Sequence, residues 1–156
     1  MQNTPDNLLP DSWHKYFAIQ ANNTAWTLSE SLADISLNTE ILDTAHASAW
    51  HWRVVGKEIN HMRSVMLLAL VHARMNMGPS AWAYAERMRM YFTEKADTPD
   101  WELAFTHTVH ALAALAFGKT PEFKASRQAA FQSLQKIQDK ADREVVMKTF
   151  QLIPQD

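Results

Sequence analysis

The sequence contains no cysteine and only three glycines among its 156 residues. Without a thiol, the chain has no disulfide, no thiolate nucleophile and no cysteine ligand for a metal. Without a glycine cluster it has no phosphate-binding loop, and no G-x-S-x-G motif for a nucleophilic serine occurs. These absences argue against nucleophilic and nucleotide-dependent catalysis, so we expect neither a cofactor nor catalytic residues.

The sequence also lacks a large excess of either positive or negative charge. The formal net charge is −2, and acidic and basic residues are mixed along the chain. We therefore expect no binding to nucleic acid or to an anionic membrane surface. Apolar runs such as residues 65–71 are much shorter than the roughly 20 residues that a membrane-spanning helix needs. The first ten residues do not resemble a secretion signal, and we expect a cytoplasmic protein.

Turn-forming residues are few and lie where helices should begin or end. Gly56, Gly78 and Gly118 each follow an apolar segment, so we expect each to close a helix in the left-handed conformation. Prolines are tolerated in the first turn of a helix, and three follow a turn-type residue: Pro79, Pro99 and Pro121. Since no hairpin-type pair of turn residues occurs, the predicted fold class is all-α.

Apolar residues recur at helical spacing in seven segments, which predicts about seven antiparallel helices. They cover about residues 13–31, 39–55, 61–77, 79–95, 99–117, 121–138 and 140–152. The third is apolar on nearly every side and must therefore be covered on every side. The seventh is more polar, as expected of a C-terminal capping helix. Residues 1–10 have little to bury and are predicted to be disordered, and residues 11–156 are predicted to form a single domain, which the spacing described next predicts to be a helical-repeat domain.

The third and fourth predicted helices carry small residues at a characteristic spacing. On the helix-pair pattern W-x2-L-G-x2-Y followed by A-x3-F, Leu68 and Ala81 match literally, while Ala69 and Ala85 occupy further positions. The chain therefore resembles a divergent tetratricopeptide-like protein over about residues 62–132. The resemblance implies a right-handed stack of helical hairpins, and a closed helical bundle is the alternative. The next small position is Ala113 in one register and Ala111 in another.

The resemblance also implies that a protein or peptide binds on the concave face of the stack. The side chains expected there are those of Arg63, Met66, Arg74, His107 and His110. Arginine suits a carboxylate because its planar fork donates two hydrogen bonds. The alternative is that the two arginines are solvated ends of a buried helix. We therefore predict a non-catalytic protein- or peptide-interaction module.

Two other functions remain open. Asp43-x-x-His46 and Glu58-x-x-His61 place an acid and an imidazole on one helical face, as metal-carboxylate helical bundles do. The segment Trp50-His51-Trp52 must direct one indole ring outward if it is helical. Tryptophan is enriched at interfaces, so an exposed ring there favours a self-associating structural protein and a homodimer.

Overall fold

The computed structural model describes residues 9–31, 33–36 and 38–154, and these ranges form seven α-helices and no strand. The predicted all-α fold is confirmed. No helix in the described ranges has both the length and the apolar content that crossing a membrane requires. The helices are α1 (Pro10–Ser29), α2 (Thr39–Val55), α3 (Glu58–Arg74), α4 (Gly78–Glu94), α5 (Asp100–Ala116), α6 (Thr120–Lys136) and α7 (Lys140–Phe150).

The local sequence explains where several helices begin. The side-chain oxygen of Asn38 accepts a hydrogen bond from the backbone N–H of Glu40 at 3.1 Å and caps α2. The carboxylate of Asp139 accepts from the backbone N–H of Asp142 at 2.9 Å and caps α7. A proline lies in the first turn of α1, α4 and α6, where its missing N–H has no intrahelical partner. Most helix ends therefore lie within a few residues of the predicted ones.

The N-terminal helix departs from the prediction. α1 begins at Pro10 rather than near residue 13, so residue 10 is helical and not part of a disordered segment. Leu9 is the N-cap residue of α1, and residues 1–8 of the segment predicted to be disordered lie outside the described ranges. Asn22 and Asn23 lie in the middle of α1 despite their weak helix propensity. Packing decides here, because Ala18 and Ala25 of the same helix are fully buried.

The prediction that a left-handed glycine closes a helix is confirmed for one of the three glycines and is wrong for the other two. Gly118 is left-handed, with φ of 73°, whereas Gly56 is extended and Gly78 is the first residue of α4. Asn76 adopts the left-handed conformation after α3 instead, with φ of 56°, and asparagine tolerates this better than most residues. At Gly78 a Cβ atom would lie 2.5 Å from the carbonyl oxygen of Ala116. Gly78 therefore allows α4 to start directly against the end of α5.

The helices form two layers. Each helix packs against the next along the chain, and the odd-numbered helices also pack side by side: α1 on α3, α3 on α5, and α5 on α7. Within the described ranges the even-numbered helices do not contact one another. The odd helices thus form an inner layer, and the even helices leave furrows between them. We call the furrow between α2 and α4, over α3, the first outer furrow, and that between α4 and α6, over α5, the second outer furrow.

Helix α3 belongs to both hydrophobic clusters of the core. As predicted for a helix that is apolar on every side, residues 64–73 are all buried. Leu67 and Val71 pack with residues of α1 and α2, whereas Met66 and Leu70 pack with residues of α4, α5 and α7. The core is therefore continuous through α3.

The pairs α3–α4 and α5–α6 have the same construction. All four helices have 17 residues, and α5 and α6 begin 42 residues after α3 and α4, at residues 100 and 120 against 58 and 78. This spacing pairs Ala69 with Ala111 and so favours that register over the one with Ala113. The unit is longer than the 34 residues of a tetratricopeptide repeat, partly because five residues connect α4 to α5.

Candidate functional site

The candidate site is a furrow in the inner layer to which all four odd-numbered helices contribute. Its volume is about 310 Å³, within the range of ligand-binding clefts. We call it the inner furrow, and its lining consists of Asn22, Trp26, Arg63, Met66, Trp101, Glu102, Phe105 and Val145. It exists because the odd helices lie side by side and their outward-facing residues form one surface.

Aromatic and apolar side chains form most of this surface. The rings of Trp26 and Phe105 meet edge to face with centroids 5.2 Å apart, and Trp101 meets Phe105 at 6.3 Å. Met66 is nearly buried, with 4% exposed, whereas Val145 remains 49% exposed. The furrow is therefore a rigid, largely apolar surface that an apolar side chain of a partner can contact.

An ion pair between α3 and α5 forms the polar part of the inner furrow. Arg63 donates from Nε to Oε1 of Glu102 at 2.6 Å and from Nη2 to Oε2 at 3.1 Å. The carboxylate side chain is only 3% exposed, but the arginine side chain is 44% exposed. Hydrogen bonding to Glu102 raises the pKa of Arg63, although burial acts in the opposite direction. The guanidinium also lies 5.4 Å from the ring centroid of Trp101, so its position is fixed.

Arg74 lies away from the inner furrow and holds the end of α1. Its Nε donates to the carbonyl oxygen of Ser29 at 3.2 Å, and its Nη2 donates to the carbonyl oxygens of Ser31 and Ala33. Burial lowers the pKa of Arg74, and nearby Asp34 opposes this. The carbonyl of Ser29 is among those that a helix leaves unsatisfied at its C-terminus, and the other two belong to the connection that follows α1. Arg74 is therefore a capping residue for α1, rather than a solvated helix end.

The two histidines do not join Arg63 and Met66. His110 contacts α4 and α6, where its Nε2 lies 2.7 Å from Oε1 of Glu86 and its Nδ1 lies 2.7 Å from Oγ of Ser126. Burial lowers the pKa of both His107 and His110. The predicted basic lining of one groove is therefore not formed, because these side chains face different surfaces and most are paired within the chain.

Ser126, His110 and Glu86 are the residue types of a hydrolytic triad, but they are not arranged as one. Neutral His110 satisfies both contacts, since the hydroxyl of Ser126 donates to Nδ1 while Nε2–H donates to Glu86. Burial acts to raise the pKa of Glu86, but hydrogen bonds from Arg89 and His110 outweigh it and lower the pKa. Ser126 is buried in the middle of α6, where the helix uses the backbone N–H groups that an oxyanion would need. The cluster joins three helices and offers no reaction centre.

The metal-binding residues considered from the sequence do not form a set of metal ligands within the described ranges. Asp43 and His46 are exposed on α2, Glu58 lies 3.8 Å from Lys95, and Nε2–H of His61 donates to a backbone carbonyl of α2. Among the described residues, no three His, Cys, Asp or Glu side chains are grouped to hold a metal ion. Their positions therefore give no support to a metal-carboxylate bundle.

Sequence reasoning found only part of the inner furrow. Arg63 and Met66 were expected there, but Trp26, Glu102 and Val145 were not. The i, i+4 spacing of Trp101 and Phe105 gave a usable signal of one helical face. Glu102 gave none, because a buried carboxylate on a helix has the same local sequence as a solvated one.

Comparison of the chain with protein-family models, with curated proteins and with solved structures finds no match. The tetratricopeptide-like resemblance therefore remains a prediction from the residues. Any functional conclusion depends on the geometry of the surfaces described above.

Proposed function

We propose that the chain is a non-catalytic, tetratricopeptide-like interaction module of the cytoplasm, and that its inner furrow binds a segment of a partner protein or peptide. The main support is the contribution of all four odd-numbered helices to one cleft. Stacked helical hairpins use the continuous surface of one helix layer in this way. The right-handed sense of the stack is part of the proposal.

The chemistry of the inner furrow specifies the bound segment. The edge-to-face aromatic rings favour an apolar or aromatic side chain as the anchor, because such rings bury large areas at interfaces. Arg63 uses Nε and Nη2 for Glu102, which leaves Nη1 to donate to an acceptor on the segment. We therefore expect an apolar anchor next to a carbonyl or carboxylate group.

Site-specific photo-cross-linking tests this proposal. A photoreactive amino acid replaces Val145 at the rim of the inner furrow, and the matched control carries it at Met90, which is similarly exposed on α4. We expect a defined partner to cross-link from position 145 but not from position 90. A synthetic peptide covering the cross-linked segment should then bind the chain, and Val145→Glu should weaken that binding at least about tenfold. Equal cross-linking from both positions contradicts the proposal.

Self-association is the second candidate, and an exposed aromatic cluster on the first hairpin favours it. Trp50 is 53% exposed, as the sequence predicted for one ring of Trp50-His51-Trp52. Its ring lies 5.3 Å from that of His14, and Phe17 and Trp13 extend the cluster along α1. Contiguous exposed aromatic surface is typical of interfaces between subunits. The occupant that we propose is a second copy of the chain.

Light scattering over a range of protein concentrations tests self-association. We expect a dimer that Trp50→Ala weakens and that Met90→Ala, at a comparably exposed position, leaves unchanged. A monomer at all concentrations, or a dimer unaffected by Trp50→Ala, contradicts this candidate.

A further inference from the structure

The first outer furrow contains a second cavity, on the opposite layer from the inner furrow. Its volume is about 390 Å³, and its walls come from α2 and α4 while α3 forms the floor. We call it the basic pocket and define it by the polar side chains in its lining: His46, Arg53, His61, Ser64, Tyr84 and Arg87. It arises from the stacking itself, since α2 and α4 flank α3 with no contact between them in the described ranges.

The basic pocket carries positive charge that the fold does not use. Arg53 and Arg87 enter its lining from opposite walls, and neither has a hydrogen bond or ion pair among the described residues. The described lining contains no aspartate or glutamate. In contrast, Arg63 and Arg89 pair with carboxylates, and Arg74 and Arg143 donate to backbone carbonyls.

At one end of the basic pocket, aromatic rings from three helices pack together. The ring of His72 on α3 lies 5.4 Å from that of His46 on α2 and 5.1 Å from that of Tyr84 on α4. Nδ1–H of His72 donates to the carbonyl oxygen of Leu68 at 2.8 Å, which fixes the ring. Burial lowers the pKa of His72 and so favours the neutral ring. His72 therefore contacts both walls at this end of the basic pocket.

We propose that the basic pocket binds a small organic molecule that carries an oxyanion, a carboxylate or a phosphate, between Arg53 and Arg87. Guanidinium groups bind such oxyanions through paired, charge-assisted hydrogen bonds. The apolar floor formed by Val65 and Leu68, next to the ring of Tyr84, contacts the carbon skeleton of the molecule. The volume is that of a small-molecule site and exceeds what a bare ion occupies. This inference stands independently of the peptide-binding function proposed for the inner furrow.

Titration of the full chain, followed by amide chemical shifts in NMR, tests this inference with four probes. Phenyl phosphate and benzoate represent the two oxyanions, and benzyl alcohol and benzamide are their neutral counterparts. We expect at least one anion to bind saturably with Kd below about 1 mM, with shifts grouped around residues 46–87. Its neutral counterpart should bind at least about tenfold more weakly. The anion that binds more tightly identifies the oxyanion class.

Charge-removing variants locate the binding. Arg53→Gln and Arg87→Gln should each weaken the anion at least about tenfold, while Lys148→Gln, an equal charge change on exposed α7, should not. Unchanged far-UV circular dichroism and thermal midpoints establish that the variants are folded. No saturable binding by either anion, or equal weakening by Lys148→Gln, overturns the proposal.

Discussion

The two outer furrows share helix α4 as a wall, yet their polar groups are arranged in opposite ways. In the second outer furrow, His110 of the floor is hydrogen-bonded on both sides, to Glu86 of α4 and to Ser126 of α6. In the first, Arg53 and Arg87 face a cavity and have no partner among the described residues. The same stacking therefore produces a structural contact between helices in the second outer furrow and a candidate binding site in the first outer furrow.

This difference shows what decides whether a furrow between helices becomes a structural contact or a binding site. Buried polar groups must find partners, and the second outer furrow supplies an acid and a hydroxyl for its imidazole. The first outer furrow supplies no acid in its described lining, so its charges are solvated and available to a ligand. Glu86 and Arg87 are neighbours on α4, yet Glu86 is hydrogen-bonded in the second outer furrow and Arg87 lines the basic pocket of the first.

Removing the imidazole of the second outer furrow should have the largest effect on stability. We expect His110→Ala to lower the free energy of unfolding by roughly 2–3 kcal/mol, because it leaves Ser126 unsatisfied and opens a cavity. His46→Ala, which removes an exposed histidine from the first outer furrow, should change it by less than about 0.5 kcal/mol. Urea denaturation measures both. Equal losses contradict the distinction between the two furrows.

Overpacking the core around α3 and α4 should have the next largest effect on stability. Ala69 on α3 and Ala81 on α4 are fully buried, so Ala69→Leu or Ala81→Leu should lower the free energy of unfolding by about 1–3 kcal/mol through overpacking. The control is Ala83→Leu, on the exposed side of α4, which should have little effect. If neither buried substitution lowers the thermal midpoint, these alanines do not lie at the close helix contacts.

Acidification should weaken the fold by a smaller amount. Burial lowers the pKa of His72, His107 and His110, so below a pH of about 6.5 the unfolded chain binds more protons than the folded chain. The free energy of unfolding should therefore be greatest above that pH and should fall as the pH drops through the lowered pKa values. Urea denaturation at several pH values measures the slope, which His110→Ala should reduce. If the free energy of unfolding rises on acidification, the lowered pKa values of these three histidines are contradicted.

The fold was more predictable from the sequence than the sites were. The all-round apolar segment around residues 65–71 requires cover on every side, and the structure buries residues 64–73. Asn38 and the first-turn prolines mark helix ends by local chemistry alone. Such signals are contained within one helix, so no knowledge of packing is needed to read them.

The sites depend on which helix faces meet, and a single sequence does not specify this. Glu102 pairs with Arg63 across 39 residues of chain, and the basic pocket combines residues of three helices. His107 and His110 were expected in a groove because the first register placed Ala113 opposite Ala69. The 42-residue spacing of the helices instead matches Ala111. This is a shift of two residues, and His110 contacts α4 and α6.

The most direct test of this account compares two neighbouring substitutions on α4, Glu86→Gln and Arg87→Gln, by urea denaturation at neutral pH. Glu86 supports the second outer furrow, so its substitution should lower the free energy of unfolding by about 1–2 kcal/mol. Arg87 belongs to a pocket that folding leaves open, so its substitution should change the value by less than about 0.5 kcal/mol. If Arg87→Gln lowers the free energy of unfolding as much as Glu86→Gln does, the first outer furrow is also a structural contact, and the account is contradicted.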